Sequence, residues 1–259
     1  MRPCAFTFLL LLLATLLPIA QADATAQTYT IPLFGARWNI YTITVSIPKE
    51  PWWAHQGVLD AMTIWNQSQA WFINTYYPNS RAYDFVEQEK GKVTIVFVTK
   101  PIIFGNTLAA GYTQNVNSKD NVILKSTITI DITTQASSRY HVEVVAAHEI
   151  GHALGLDHTH VAGDLMELWS VILYGVMQIP STLDLYAVHL LAENKMPKNK
   201  TVILPSEIPY KNAEQVIPEF SVSMLILAVT FCAVSFLSVS GRLRRRERPQ
   251  EQRRLLLPG

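Results

Sequence analysis

The chain has 259 residues, a formal net charge of +1 and a hydrophobic fraction of 49%. A net charge this close to zero gives no support to a nucleic-acid partner. Both cysteines, Cys4 and Cys232, fall in apolar segments near the two ends, so we expect the exterior part of the mature chain to be stabilised without disulfides.

The N-terminal segment is typical of a secretory signal peptide. Arg2 precedes the apolar run FTFLLLLLATLLPIA, and Ala20 and Ala22 occupy the small-residue positions of a cleavage site. We expect residues 1–22 to be removed by cleavage after Ala22, which leaves residues 23–36 as a short N-terminal segment. An uncleaved N-terminal anchor is the alternative.

A domain that contains both helices and strands is predicted over residues 37–194. Aromatic and β-branched runs predict strands, and apolar residues spaced by three and four predict helices. The predicted elements are, in order, a strand at 37–47, a helix at about 52–77, strands at 92–98, 109–114 and 126–133, a helix at about 139–154 and a helix at 181–194. This order indicates an α+β fold with a mixed, twisted sheet.

Serine residues mark the expected starts of two of these helices. Ser137 or Ser138 is the expected N-cap of the second helix. Ser181 is expected to cap the third helix, and Asp184 lies at the position that completes a capping box.

The C-terminal region is predicted to tether the domain to a membrane. Residues 195–217 lose periodicity and are interrupted by prolines, as expected of a stalk. Residues 218–241 contain the uncharged run FSVSMLILAVTFCAVSFLSV, which is long enough for one transmembrane helix. The arginine-rich residues 242–259 are then expected in the cytoplasm, with the domain outside the cell.

The segment HEIGHALGLDH, residues 148–158, has the spacing of a metal site on a helix. His148 and His152 are four residues apart, so they project from one face and can share a zinc ion. Glu149 lies beside the first histidine, where a carboxylate can take a proton from the attacking water. An accidental occurrence of this pattern in a chain of this size has a probability on the order of 10⁻⁴.

A third ligand requires the chain to leave the helix and turn back. Gly155 can take the left-handed backbone conformation that such a turn needs. The turn would bring His158 to the metal and leave a fourth position open, as in catalytic zinc sites. His160 is the alternative third ligand, although the glycine spacing favours His158. His55 and His189 are expected to have structural roles, and His141 is expected to be a polar residue at the start of the second helix.

HEIGHALGLDH matches the H-E-x-x-H-x-x-G-x-x-H signature of the metzincin zinc endopeptidases, and AAHEIGHALGLDH resembles their matrixin, or matrix-metalloprotease-like, branch. The resemblance implies a zincin-type catalytic domain with one zinc ion and a protein or peptide substrate. It implies that His148, His152 and His158 bind the zinc, and that Glu149 is the general base. Only residues 143–168 carry the specific part of this resemblance.

The resemblance also implies two features away from the histidines. Metzincins place a methionine in a tight turn beneath the zinc, and Met166 has the matrixin offset from His158, with Met177 as the alternative. The edge strand near Ala109–Tyr112 is expected to pair with an extended substrate.

The sequence departs from the matrixin pattern in its other metal sites. Residues 99–130 contain no histidine, so we do not expect the structural zinc ion of that family. Calcium (Ca²⁺) through Asp120 or Asp131 is an open alternative that no other feature supports. MELW replaces the usual tyrosine-proline after the methionine, which leaves the substrate-selecting pocket unassigned.

The C-terminus is similar to the archaeal PEF-type sorting signals. PEF at residues 218–220 precedes the apolar span and the arginine cluster, which implies a C-terminal sorting enzyme as a partner. A permanent single-span anchor is the alternative. Asn66 and Asn199 lie in glycosylation sequons, and Asn199 is the better candidate because Asn66 falls in a predicted helix.

The sequence as a whole predicts a secreted, membrane-anchored zinc metalloendopeptidase. The alternative is a surface binding or adhesion module that retains a metal for folding without catalysis. The presence of Glu149 argues against this alternative, because a purely structural metal site has no use for that carboxylate.

Overall fold

A computed structural model describes residues 28–104, 107–133, 138–168 and 179–211 of the protein. The helices in these residues are α1 (Trp52–Tyr76), α2 (Arg139–Leu154) and α3 (Thr182–Ala192). The strands are β1 (Thr30–Pro32), β2 (Thr42–Ser46), β3 (Asp84–Glu87), β4 (Val93–Val98), β5 (Ile102–Phe104), β6 (Thr107–Ala109), β7 (Gly111–Asn117), β8 (Ile123–Asp131) and β9 (Thr201–Ile203). The expected signal peptide, transmembrane segment and basic tail lie outside the described residues. Within those residues, no helix combines the length and apolarity needed to cross a membrane.

Five strands form the main sheet, in the order β3-β2-β4-β8-β7. Strands β3, β2, β4 and β8 are parallel, whereas β7 runs antiparallel to β8. The predicted mixed sheet in an α+β fold is therefore confirmed. Because β7 is the last strand in this order, one of its edges faces away from the sheet.

Two buried tryptophans fix the position of α2. Trp65 of α1 donates its indole N–H to the carbonyl of Ala147, at 2.8 Å, and Trp38 donates to the carbonyl of Ala153, at 2.9 Å. Each side chain thus buries a large apolar surface while its one polar group remains bonded. Gly57 lets α1 approach α2 closely, since a Cβ atom there would lie 2.5 Å from the carbonyl oxygen of Arg139.

The helices begin where the sequence indicates. The Ser138 side chain accepts a hydrogen bond from the N–H of His141 at the start of α2. Ser181 and Asp184 form the predicted capping box, in which each side chain accepts from the other residue's backbone N–H. Local capping chemistry decides these boundaries, so it can be read from nearby residues.

The strands differ more from the sequence prediction. The strand predicted at 37–47 is shorter, and the strand expected at 109–114 is replaced by β6 and β7. Strand β7 continues to Asn117, beyond the predicted end of the strand at residue 114. Pairing with β8 over its whole length stabilises these polar residues in an extended conformation.

Strand β3 was not predicted, and Asn66 of α1 explains part of its stability. The Asn66 side chain donates to the carbonyl of Phe85 at 3.0 Å and accepts from its N–H at 2.9 Å. The amide therefore acts as a hydrogen-bonding partner for the strand. The same nitrogen would carry a glycan, so glycosylation of Asn66 is incompatible with this arrangement.

Segments outside residues 37–194 also belong to the domain. Strand β9 pairs antiparallel with β1, and Val202 and Ile208 are buried in the core. The structure therefore differs from the expected stalk over residues 201–211. Strand β9 is too short, and too close to prolines, to give a periodic pattern in the sequence. Its pairing with β1 nevertheless makes it part of the fold.

We predict that Val202→Ala lowers the free energy of unfolding by about 2 kcal/mol, because the lost methyl groups leave a cavity in the core. Ile203→Ala is the matched control: it is 55% exposed, against 1% for Val202, and should change stability by less than about 0.5 kcal/mol. Urea unfolding of both variants measures the difference. Equal, small effects would mean that β9 does not pack on the domain.

Candidate metal centre

Helix α2 presents two histidines toward the turn that follows it. His148 and His152 are both buried, and their ring centroids lie 4.7 Å apart. The helical spacing of four residues produces this proximity, as the sequence predicts.

Gly155 reverses the chain after α2. Its φ of 108° lies in the left-handed region, and its N–H bonds to the carbonyls of the last helical turn. A Cβ atom at this position would lie 2.5 Å from the carbonyl oxygen of Ala36. Glycine is therefore required both by the backbone conformation and by the close approach of the N-terminal segment.

The turn brings His158 to the two helical histidines. The Nε2 atom of His158 lies 3.3 Å from Nε2 of His148 and 3.2 Å from Nε2 of His152. These three side chains form a group that could hold a metal ion, with its ligand atoms within 4.8 Å of one another. His160 is exposed and lies outside the group.

Hydrogen bonds to carbonyl groups fix the tautomers of the two helical histidines. His148 Nδ1 donates to the carbonyl of Leu165 at 2.6 Å, and His152 Nδ1 donates to that of Leu156 at 2.9 Å. Because a carbonyl can only accept, the proton of each neutral ring is on Nδ1 and the lone pair is on Nε2.

The geometry fits a tetrahedral zinc ion. Nitrogen ligands at about 2.0–2.1 Å from zinc lie roughly 3.3–3.4 Å apart in a tetrahedron, close to the two separations seen here. One N–H of His158 could not bond well to both neighbouring lone pairs, whereas a cation binds all three nitrogens. The donor set of three imidazoles therefore fits zinc, with a fourth position left for substrate or water.

Burial keeps the helical histidines neutral. Desolvation lowers the pKa of His148 well below its usual value, and it lowers the pKa of His152 to about 4. Burial also lowers the pKa of His158, although the neighbouring Asp157 opposes this effect. Neutral imidazole is the form that binds metal ions.

The other histidines lie elsewhere in the domain. His189 stacks on Tyr77 with ring centroids 4.1 Å apart, and His55 Nδ1 lies 3.1 Å from the carbonyl oxygen of Pro48. His141 is at the start of α2. None of these three belongs to the metal-binding group found among the described residues.

Glu149 is buried beside the histidines, against β7. The Thr113 hydroxyl lies 2.7 Å from Oε2 of Glu149, and a Cβ atom on Gly111 would lie 3.0 Å from Oε1. Burial raises the pKa of Glu149 to about 7, and the hydrogen bond from Thr113 opposes this increase. The absence of a side chain at Gly111 leaves room for the carboxylate.

Met166 lies beneath the histidine helix, as the sequence predicts. It is fully buried, and a Cβ atom on Gly151 would lie 2.3 Å from its sulfur atom. The carbonyl of Met166 accepts a hydrogen bond from Thr159, and that of the preceding Leu165 accepts from His148. The turn at Leu165 and Met166, called the methionine turn below, therefore bonds both to the histidine helix and to the segment that follows His158. Met177 lies outside the described residues.

A buried pair of aspartates, which no sequence spacing reveals, lies beside the same turn. Asp164 Oδ1 accepts from the N–H of Met166 at 2.8 Å, and its Oδ2 accepts from the Tyr210 hydroxyl at 3.2 Å. Burial, and then the charge of Asp164, raise the pKa of Asp184 well above its usual value. Asp184 Oδ1 is buried, and a proton shared with the neighbouring Asp164 carboxyl group would give it a hydrogen-bond partner.

The two residues considered as calcium ligands, Asp120 and Asp131, do not form one site. Asp120 lies in the turn between β7 and β8, whereas Asp131 is the last residue of β8. Asp131 instead bonds to the backbone N–H of Thr133 at 2.7 Å. The calcium hypothesis stays a prediction.

Comparison with known families gives one finding. The Matrixin family model matches residues 54–181, from the first turn of α1 to the N-cap of α3. The described domain is matrixin-like. This matrixin-like metallopeptidase domain contains the three histidines, Glu149 and Met166, and the family uses zinc. Comparison with curated proteins finds no match.

We predict that Gly155→Val abolishes zinc binding without removing a ligand. A β-branched residue resists the left-handed conformation, at a cost of about 1–3 kcal/mol, and its Cβ would collide with Ala36. His160→Ala is the control and should retain about one zinc per chain. Elemental analysis of both variants measures the metal. Full zinc content in Gly155→Val would show that the turn does not deliver His158.

We predict that Asp184→Asn makes the domain more stable than the wild type at pH 7. The raised pKa means that the folded state holds a proton that the unfolded state releases above its pKa of about 3.9, so wild-type stability falls as the pH rises from there toward the folded pKa. Asparagine mimics the protonated carboxyl group and carries no such dependence.

Urea unfolding from pH 4 to pH 8 tests this prediction. Asp184→Ala is the comparison variant, and the loss of the capping box should cost about 1 kcal/mol. The same pH dependence in Asp184→Asn and in the wild type would contradict the shared proton.

Proposed function

We propose that the protein is a zinc-dependent metalloendopeptidase in which Glu149 is the general base. The single observation that carries the proposal is the convergence of the Nε2 atoms of His148, His152 and His158 beside a buried carboxylate. A metal held for folding alone needs the histidines, but it does not need Glu149.

The three histidines and Glu149 have different roles in the proposed hydrolysis. Zinc, when bound, supplies a Lewis acid that polarises the scissile carbonyl and lowers the pKa of water. The three histidines hold it and leave a position open to the reactants. Glu149 accepts the proton of the attacking water and then donates it to the leaving amine. Burial of the site strengthens these electrostatic interactions.

Strand β7 is proposed to bind the substrate backbone. It is the last strand of the main sheet as described, and its residues Gly111 and Thr113 contact Glu149. An extended peptide that adds to this edge would use backbone hydrogen bonds for affinity. Such a peptide would pass directly beside the general base, which is consistent with an endopeptidase.

The location of the protein is proposed from its terminal sequences. The signal-like residues 1–22, the apolar residues 218–241 and the basic residues 242–259 support a secreted domain anchored in the membrane, with its tail in the cytoplasm. Since β9 and the residues up to Lys211 contact the domain, the tether would begin after Lys211. The PEF sequence supports a sorting enzyme as a second partner.

We predict that the purified full chain cleaves casein and that a chelator stops the cleavage. Glu149→Ala should retain about one zinc per chain and the wild-type unfolding transition, because Glu149 is not a ligand. Its activity should fall by about 10²–10⁴-fold, as is typical when a general base is lost.

His158→Ala and His160→Ala complete this experiment. The first should lose both zinc and activity, and the second should keep both. A zinc-loaded wild type that folds but cleaves nothing would favour the adhesion module instead. Near-normal activity in Glu149→Ala would remove that residue from the mechanism.

A further inference from the structure

One face of β7 is attached to the histidine helix through alternate residues. Gly111, Thr113 and Asn115 point toward α2, as successive side chains on one face of a strand do. Gly111 makes room for Glu149, Thr113 bonds to Glu149, and Asn115 donates to the carbonyl of His152 at 2.9 Å. The substrate-binding edge and the helix are thereby held at a fixed separation.

Thr113 contacts both the side chain and the backbone of Glu149. Its Oγ1 lies 2.7 Å from the carboxylate Oε2 and 3.0 Å from the Glu149 carbonyl oxygen. A hydroxyl group has one proton to donate and two lone pairs that accept. It can therefore donate to the carboxylate when Glu149 is charged. When the proton is on Oε1, Oε2 is still an acceptor, so the hydroxyl can keep the same hydrogen bond to it.

We propose that Thr113 is a positioning residue that holds the Glu149 carboxylate in one orientation throughout proton transfer, an inference that rests on the proposed function. The Thr113 hydroxyl bonds to Oε2, which leaves Oε1, packed close to the backbone at Gly111, to take the proton. The hydroxyl offers a partner in both protonation states, so Glu149 does not need to rotate between them.

The proton that Glu149 takes up during hydrolysis is given back before the reaction ends. An O–H bond of the attacking water breaks, its proton goes to Oε1, and its oxygen bonds to the scissile carbonyl carbon. The C–N bond then breaks, and the leaving nitrogen takes the proton from Oε1. Glu149 ends in its starting state, and Thr113 neither gains nor loses a proton.

Thr113→Val tests this role because valine has nearly the same shape without the hydroxyl. In the full chain, kcat for a peptide substrate should fall about tenfold, equivalent to about 1.4 kcal/mol, while KM stays within about twofold. Zinc content and the unfolding transition should not change. Thr113→Ser restores the hydroxyl and should restore most of kcat.

Thr127→Val is the matched control. Thr127 pairs with Gln114 of β7 and therefore lies on the sheet face away from Glu149, so kcat should equal that of the wild type. A crystal structure adds a readout independent of activity. The Glu149 carboxylate should leave its wild-type position in Thr113→Val and keep it in Thr113→Ser.

Three results would overturn the inference while leaving the proposed function intact. They are wild-type kcat in Thr113→Val, a Thr113→Ser variant as impaired as Thr113→Val, and an unmoved Glu149 carboxylate in the crystal structure. An inactive, zinc-loaded wild type would instead overturn the proposed function and this inference with it.

Discussion

The Nε2 atoms of three imidazoles converge at about the spacing of zinc ligands, and when all three carry lone pairs, these repel one another unless a cation lies between them. The surrounding fold holds the three rings in place despite this repulsion. His148 and His152 donate to main-chain carbonyls, and His158 is carried by the turn at Gly155. A bound cation converts the repulsion into attraction, so metal binding and the folded arrangement of this region stabilise each other.

The elements around the three histidines hold them close together. The tryptophans that bond to α2 fix the helix, and Gly151 lets Met166 pack directly under it. Asp164 holds the methionine turn, whose carbonyl at Leu165 in turn orients His148. Removal of one such contact need not unfold the domain, but it displaces a ligand from the common centre. This is how groups behind the ligands tune a metal site.

Local patterns predicted the parts of the site that depend on neighbouring residues. The spacing of His148 and His152, the glycine turn and the capping box of α3 all follow from interactions within a few residues. Long-range contacts could not be predicted in this way. Thr113 meets Glu149 across 36 residues, and β9 pairs with β1 although neither strand has a periodic pattern. Aspartates 164 and 184 likewise become a pair only after folding.

X-ray absorption at the zinc edge tests the central claim most directly, because it reports the ligands of the metal independently of activity. For the purified full chain we expect a single zinc environment with three imidazole nitrogens at about 2.0–2.1 Å and oxygen in the remaining position. In His158→Ala, the imidazole contribution should fall or the zinc should be lost. A sulfur ligand, fewer than three imidazoles in the wild type, or a spectrum that His158→Ala leaves unchanged would contradict the assignment.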